Sequence, residues 1–223
     1  MTWELDHVFL ATSDADSAEQ VLADFGLAFS ERRVHSGQGT ANVCAVFENA
    51  FFEILRPFDV RELGSASVKP LGLEERIHWH DTGACPFGVC FRPSAADGEP
   101  EPWSFETWPY EPPYLPRGTS VPIVTPPRCL ADPLVFVTRR SRPAERESPG
   151  TSLHRGARRT LTGVKIYRPS PRLTVSAGVR WFSENGHLAI EEGPAHVLEL
   201  EWDHGSDRMT HVFPSALPIV LRW

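Results

Sequence analysis

The sequence predicts an α+β fold, with a βαβββ unit at each end of the chain and a strand- and loop-rich insertion between them. Three observations carry this. The first 57 residues show strand and helix patterns in that order, the final third repeats the order, and 21 prolines with 16 glycines in 223 residues favour many turns over a helical bundle. The resulting divisions are residues 1–57, 58–159 and 160–223.

Residues 5–12 (LDHVFLAT) alternate and then run apolar, as a strand buried on at least one face does, and His7 sits on it. Ser13 is followed three residues later by Asp16, where a helix needs its free amide groups capped. Ala18, Val21, Leu22 and Phe25 then form one apolar stripe, and Gly26 supplies the left-handed stop. Strands at 31–35 and 41–47 follow, joined by Ser36-Gly37-Gln38-Gly39-Thr40, whose glycines allow a tight turn. After Glu48-Asn49, residues 51–55 read as an apolar strand interrupted by Glu53. A carboxylate there needs a partner or a wet cavity, because burying it alone is costly.

Residues 58–77 read as a turn-rich connection, and His78-Trp79-His80-Asp81 as a polar loop; only on a strand would His78 and His80 share a face. Residues 85–91 and 133–138 read as buried strands. Between them, Trp103, Phe105, Trp108, Tyr110 and Tyr114 are interspersed with prolines, which forbid a regular helix and favour an extended path. Such a segment suits a pocket wall, a belt over the sheet or a dimer contact. Residues 139–159 are charged and poor in apolar side chains, the pattern of a linker or long surface loop.

In the final third, 161–168, 187–191, 196–202 and 217–223 read as strands and 171–182 as a helix. Leu161-Thr162-Gly163-Val164 aligns with Leu5-Asp6-His7-Val8, and residues 216–222 align with 50–56.

A formal charge of −7 argues against a nucleic-acid surface, and no stretch approaches a membrane span. Without a leader pattern at the N-terminus, the chain reads as cytoplasmic. Cys44, Cys85, Cys90 and Cys129 lie in or beside apolar stretches and read as reduced thiols.

Leu5-Asp6-His7-Val8, the helix ending Phe25-Gly26-Leu27, the hairpin from His35 to Asn42 and the closing Phe52-Glu53-Ile54-Leu55 resemble the glyoxalase-like modules of the vicinal-oxygen-chelate superfamily. The resemblance implies paired βαβββ modules whose sheets form a cup, and a divalent metal ion or a small molecule held within it. It places His7 and Glu53 at metal-ligand and catalytic positions, with His35, Thr40 and Asn42 about the glycine turn as substrate contacts. Trp103, Trp108 and Tyr110 are expected to wall the cup. In the second module Gly163 and Ile219 stand where ligands would be, so His7 and Glu53 need completion from Glu199, Glu201, His196, His78 or His80. The implied function is a small-molecule-binding protein, as a metal-assisted isomerase, lyase or dioxygenase; the alternative is a metal-free binding or sequestering module. One chain is expected to supply both modules, as a monomer or homodimer.

Overall fold

The opening apolar run forms β1 (Trp3–Ala11), which becomes the middle of a sheet. The structure, a computed structural model, describes residues 3–94, 103–138, 159–169, 175–214 and 216–223. The helix α1 (Ala15–Phe25) ends as expected at Gly26, whose φ of 117° is left-handed and whose N–H returns to Ala23 and Leu22. Arg56 bonds Asp16 and Glu19 and ties α1 to the sheet. Then come β2 (Arg33–His35), β3 (Thr40–Val46) and β4 (Phe51–Pro57). In the β2–β3 turn a Cβ on Gly39 (φ +77°) would lie 2.3 Å from the Asp59 carbonyl oxygen, so only glycine fits under α2 (Val60–Leu63). The Glu62 carboxylate accepts from the N–H groups of Gly37 and Gly39 and fixes the turn.

Two short helices follow, α3 (Leu73–Ile77) and α4 (Trp79–Thr82); the His78–Asp81 cluster is therefore helical, with His80 stacked on Trp79. The remaining strands of this half are β5 (Phe87–Pro93), β6 (Trp108–Tyr110), β7 (Val121–Ile123) and β8 (Leu134–Val137). The eight strands run β2-β3-β4-β1-β5-β8-β7-β6. β1 and β5 are antiparallel at the centre, β1 is parallel to β4, and β5 is parallel to β8. Each half therefore repeats the same outward order, the first strand beside its fourth, then third, then second. The result is a mixed α+β, strand-rich curled sheet with few helices.

The partner half thus comes from residues 87–137, inside the stretch that sequence alignment treats as an insertion. The final third builds its own sheet from β9 (Leu161–Arg168), β10 (Ala189–Glu192), β11 (Val197–Trp202), β12 (Thr210–Val212) and β13 (Ile219–Arg222), with α5 (Ala177–Glu184) between β9 and β10. Its order is β10-β9-β11-β13-β12, with β9 antiparallel to β11, unlike the opening unit. The element order along the chain recurs, but order does not specify which strands pair. Residues 139–158, most of the expected charged linker, and 170–174 at the start of the expected last helix lie outside the described residues.

One apolar core joins the two sheets. Val8, Leu10, Val43, Phe52 and Ile54 on the outer face of the curled sheet pack with Ile166, Phe182, Leu198, Leu200 and Trp202. Asn49 bridges them, its side chain bonding both the N–H and the carbonyl of Leu161 at 2.9 Å. A second apolar cluster, including Phe9, Leu55, Leu71, Leu73, Ile123 and Leu134, lies on the opposite, concave face. Among the described residues no helix is long and apolar enough to cross a membrane.

Candidate functional site

Strand alternation sends every second residue of the curled sheet to its concave face. Val46, Phe51, His7, Cys90 and Phe136 lie side by side across β3, β4, β1, β5 and β8, and Cys44, Glu53, Phe9, Gly88 and Leu134 form the next row. These rows floor a cavity of about 630 Å³, the size that takes a small organic ligand. His7 and Glu53 are diagonal neighbours, with His7 Nε2 3.8 Å from Glu53 Oε2.

A bulge adds a third polar group. The pairing of β1 with β5 shifts between Leu5 and His7, so Asp6 has no partner in the ladder and both Asp6 and His7 line the cavity. His7 Nδ1 lies 2.7 Å from Asp6 Oδ1, and the second Asp6 oxygen accepts from Arg92 at 3.1 Å. Burial acts to raise the Asp6 carboxyl, but the hydrogen bond and charge of His7, with those of Arg92, outweigh it and hold it below the usual carboxylate range. As a carboxylate, Asp6 can only accept, so His7 carries a proton on Nδ1, and in the neutral ring the lone pair of Nε2 faces Glu53. The His7 ring is held flat against Phe51, with centroids 4.3 Å apart, and edge-on to Phe136.

Asn42 donates to Glu53 Oε1 at 2.8 Å, which fixes the carboxylate and leaves Oε2 toward His7. His35 lies at the rim of the same cavity, its Nδ1 3.0 Å from Thr40 Oγ1 and its ring stacked on Tyr114. Burial lowers the His35 pKa despite the opposing charge of Glu53. Thr40 is fully buried behind it and outside the cavity lining, receiving Gln38 Nε2, while Tyr110 donates to Gln38 Oε1. Burial pushes both phenols up, Tyr114 to about 12, so both stay protonated.

Of the expected walls, Tyr110 lines the cavity and the two tryptophans do not. Trp103 packs on Trp3 and Phe105 in the core between the sheets, and Trp108 donates its indole N–H to the Thr125 carbonyl. The residues proposed to complete a metal site are also elsewhere. Glu199 pairs with Arg222 and, with Glu201, lines a separate groove of about 350 Å³ on the second sheet. His196 approaches the Gly83 carbonyl, and His78 and His80 flank Trp79 on the short helices. The sequence does not single out Asp6, Cys90 or Arg92 as site residues, and it offers Tyr114 only as one of five aromatics suited to a pocket wall. An adjacent Asp-His pair on a strand is the one signal that pointed to Asp6, and ordinary alternation would have sent its side chain away.

The donor set decides what a divalent metal could use. Asp6, His7 and Cys90 have donor atoms within 4.8 Å of one another. Both Asp6 oxygens are engaged by His7 and Arg92, however, and burial with the nearby Asp6 charge raises the Cys90 thiol well above its usual range, so it is protonated. His7 Nε2 and Glu53 Oε2 remain as two well-placed donors. The cluster fits a weakly held, largely hydrated ion and does not supply the three or four protein ligands of a closed chelate.

A curled mixed sheet whose two halves repeat one strand order around a central cup defines the vicinal-oxygen-chelate fold. Residues 5–103 match the family model described as a glyoxalase-like domain. The match extends past the first unit through β5, the strand that opens the second half of the cup. A crystal structure of a hypothetical protein from Staphylococcus aureus aligns over 100% of this chain and 98% of its own, at 11% identity and a TM-score of 0.56, and has the same fold. Methylmalonyl-CoA epimerase structures from Mycobacterium tuberculosis (18% identity, 60% of this chain and 85% of theirs, TM-score 0.34) and Streptomyces coelicolor (16%, 60% and 94%, 0.34) are more distant. No curated protein matches the chain.

Proposed function

We propose that the protein is an enzyme of isomerase or lyase type that moves a proton on a small molecule held in the cup, with His7 as the base. The observation that carries this is the array of Asp6, His7 and Glu53 on the cavity floor, in which one histidine nitrogen is tied to a carboxylate and the other faces a second carboxylate across 3.8 Å. Nε2 takes a proton from a carbon beside a carbonyl, and the C–H electron pair moves to the carbonyl oxygen as an enolate. The imidazolium that forms is stabilised by Asp6 through Nδ1–H, and by Glu53, which Asn42 holds in place. Delivery of the proton to the neighbouring atom completes an isomerisation, and departure of a group from the adjacent carbon completes an elimination. A divalent ion held by His7 and Glu53 would supply Lewis-acid stabilisation of an enolate oxygen, but it would occupy Nε2, so the role of His7 as base belongs to the metal-free site.

A small molecule is the partner this reading requires, and one chain supplies both halves of the cup, so a cytoplasmic monomer suffices. The test is deuterium wash-in, followed by NMR, on a panel of ketones and hydroxyketones. Exchange at the carbon beside the carbonyl, abolished in His7→Ala and reduced in Glu53→Gln, supports the assignment. Ligand that binds but exchanges only at the buffer rate would leave a binding or sequestering module.

A further inference from the structure

The cup is divided into a small polar end and a larger apolar one. His7, Glu53 and Asn42 occupy the first, toward β3 and β4. From Leu55, the ladder partner of Asn42, and Phe9, the ladder partner of Glu53, the lining continues with Leu71, Leu73, Ile123 and Leu134, all members of the concave-face apolar cluster into which the cavity opens. Gly88 makes that compartment possible. A Cβ at position 88 would stand 2.0 Å from Phe9 Cε1 and 2.2 Å from its Cζ, so the Phe9 ring lies down over β5 where a side chain would otherwise rise. The space above the ring stays open and its floor is an aromatic surface.

The charged groups of the lining include Arg33, whose guanidinium lies over the Tyr114 ring, 6.0 Å from its centroid. Arg92 pairs with Asp6 and also with Glu4, which offsets the charge beneath His7. Glu53 has Asn42 and His7 as its partners among the described residues, and no arginine or lysine forms an ion pair with it. A ligand that placed its own carboxylate or phosphate here would set two like charges close together in a half-enclosed, low-dielectric site.

We infer that the cup selects an apolar molecule, a medium chain or a single ring system, carrying one uncharged carbonyl or hydroxyl head, with the head at His7 and Glu53 and the body over Phe9 against Leu71 and Leu134. The inference rests on the cup being the reacting site, and it adds the class of molecule that enters.

The test measures binding of 2-decanone, decanoate and 2-pentanone at pH 8 by ligand-observed NMR titration of wild type, Glu53→Gln and Gly88→Ala, with thermal melts to confirm folding. Wild type should bind 2-decanone about tenfold or more tighter than decanoate of the same length, and Glu53→Gln should bring the two within about threefold by removing the like charge. Gly88→Ala lifts the Phe9 ring into the compartment and should weaken 2-decanone about tenfold while leaving 2-pentanone within about twofold. Decanoate binding as tightly as the ketone in wild type, or equal loss of both ketones in a folded Gly88→Ala protein, overturns the inference. Its failure is separable from failure of the catalytic assignment. Ketone binding that is the same in wild type and His7→Ala, with no deuterium exchange, rejects catalysis and keeps the selectivity; exchange on a substrate held by its carboxylate does the reverse.

Discussion

Asp6→Asn is the most informative single change, because it keeps the shape of the group that orients His7 and removes its charge. In the wild type Asp6 Oδ1 lies 2.7 Å from His7 Nδ1, and Oδ2 takes Arg92. A charge-assisted hydrogen bond contributes about 1.5–3 kcal/mol against about 0.5–1.5 for a neutral one, so the imidazolium that forms during proton transfer loses about 1–1.5 kcal/mol. That is about five- to twelvefold in rate. If the amide turns its NH₂ toward Nδ1, the ring proton moves to Nε2, the base is lost, and the drop reaches about 10²–10⁴-fold. Arg92 keeps Glu4 and the Asn49 carbonyl, so the variant should fold. The assay is the deuterium wash-in rate with melting temperature recorded beside it. A folded Asp6→Asn protein within about twofold of the wild-type rate would refute the role given to Asp6, since the weakest of these effects is about fivefold. The same pair has a second readout. The Asp6 pKa lies below its ordinary value of 3.8 in the folded state, so its stabilisation is present above 3.8 and is lost as pH falls through the folded value. The stability difference between wild type and Asp6→Asn should therefore shrink on acidification below 3.8 and hold steady above it.

Arg76 is fully buried and donates to the carbonyls of Leu71, Cys85, Cys129 and Asp132, stapling α3 to the far half of the cup. Arg76→Met should cost about 3–5 kcal/mol in denaturant unfolding, because several buried carbonyls lose their donor at once. His35 is held neutral by burial, so the unfolded chain binds the extra proton: stability should begin to fall as pH drops through 6.5, and continue down to the lowered folded value. His187 and His196 shift in the same direction, so His35→Gln should flatten this acid limb only in part when melts are compared between pH 7.5 and 5. Titration with Zn²⁺ or Mn²⁺ should reveal a site weaker than about 1 μM that vanishes in His7→Ala with Glu53→Gln, as two donors predict; nanomolar affinity would mean a third ligand.

The elements with their own local signals were legible from sequence. The strand at His7, the helix with its Gly26 stop, the glycine hairpin and the strand at Glu53 each announce themselves by period, cap or turn. β9 was readable to the residue because it alternates cleanly between flanking breaks. β6 and β7 were not, since Pro109 and Pro122 argue against strands; they face each other across that pair, where neither is asked for an N–H. The placement of the second half of the cup was hidden for a different reason. Pairing of β5 with both β1 and β8 is a non-local choice, and the order of elements in the final third imitates the opening unit without reproducing its sheet. At the site, a histidine and a glutamate in apolar strands pointed to the cavity by the cost of burying them elsewhere. Asp6 was missed because only a bulge turns it inward, and Trp103 and Trp108 were misread because composition does not say which face of the sheet an aromatic segment covers.

The central claim is that His7 presents an unprotonated Nε2 to the cup because Asp6 holds the proton on Nδ1. Long-range ¹H–¹⁵N correlation NMR of the imidazoles at pH 8, assigned with His7→Gln, reads this directly. The account predicts a His7 fixed as the Nδ1–H tautomer, with Nε2 responding when 2-decanone is added. A His7 carrying its proton on Nε2, or averaging between tautomers as a free imidazole does, would contradict it.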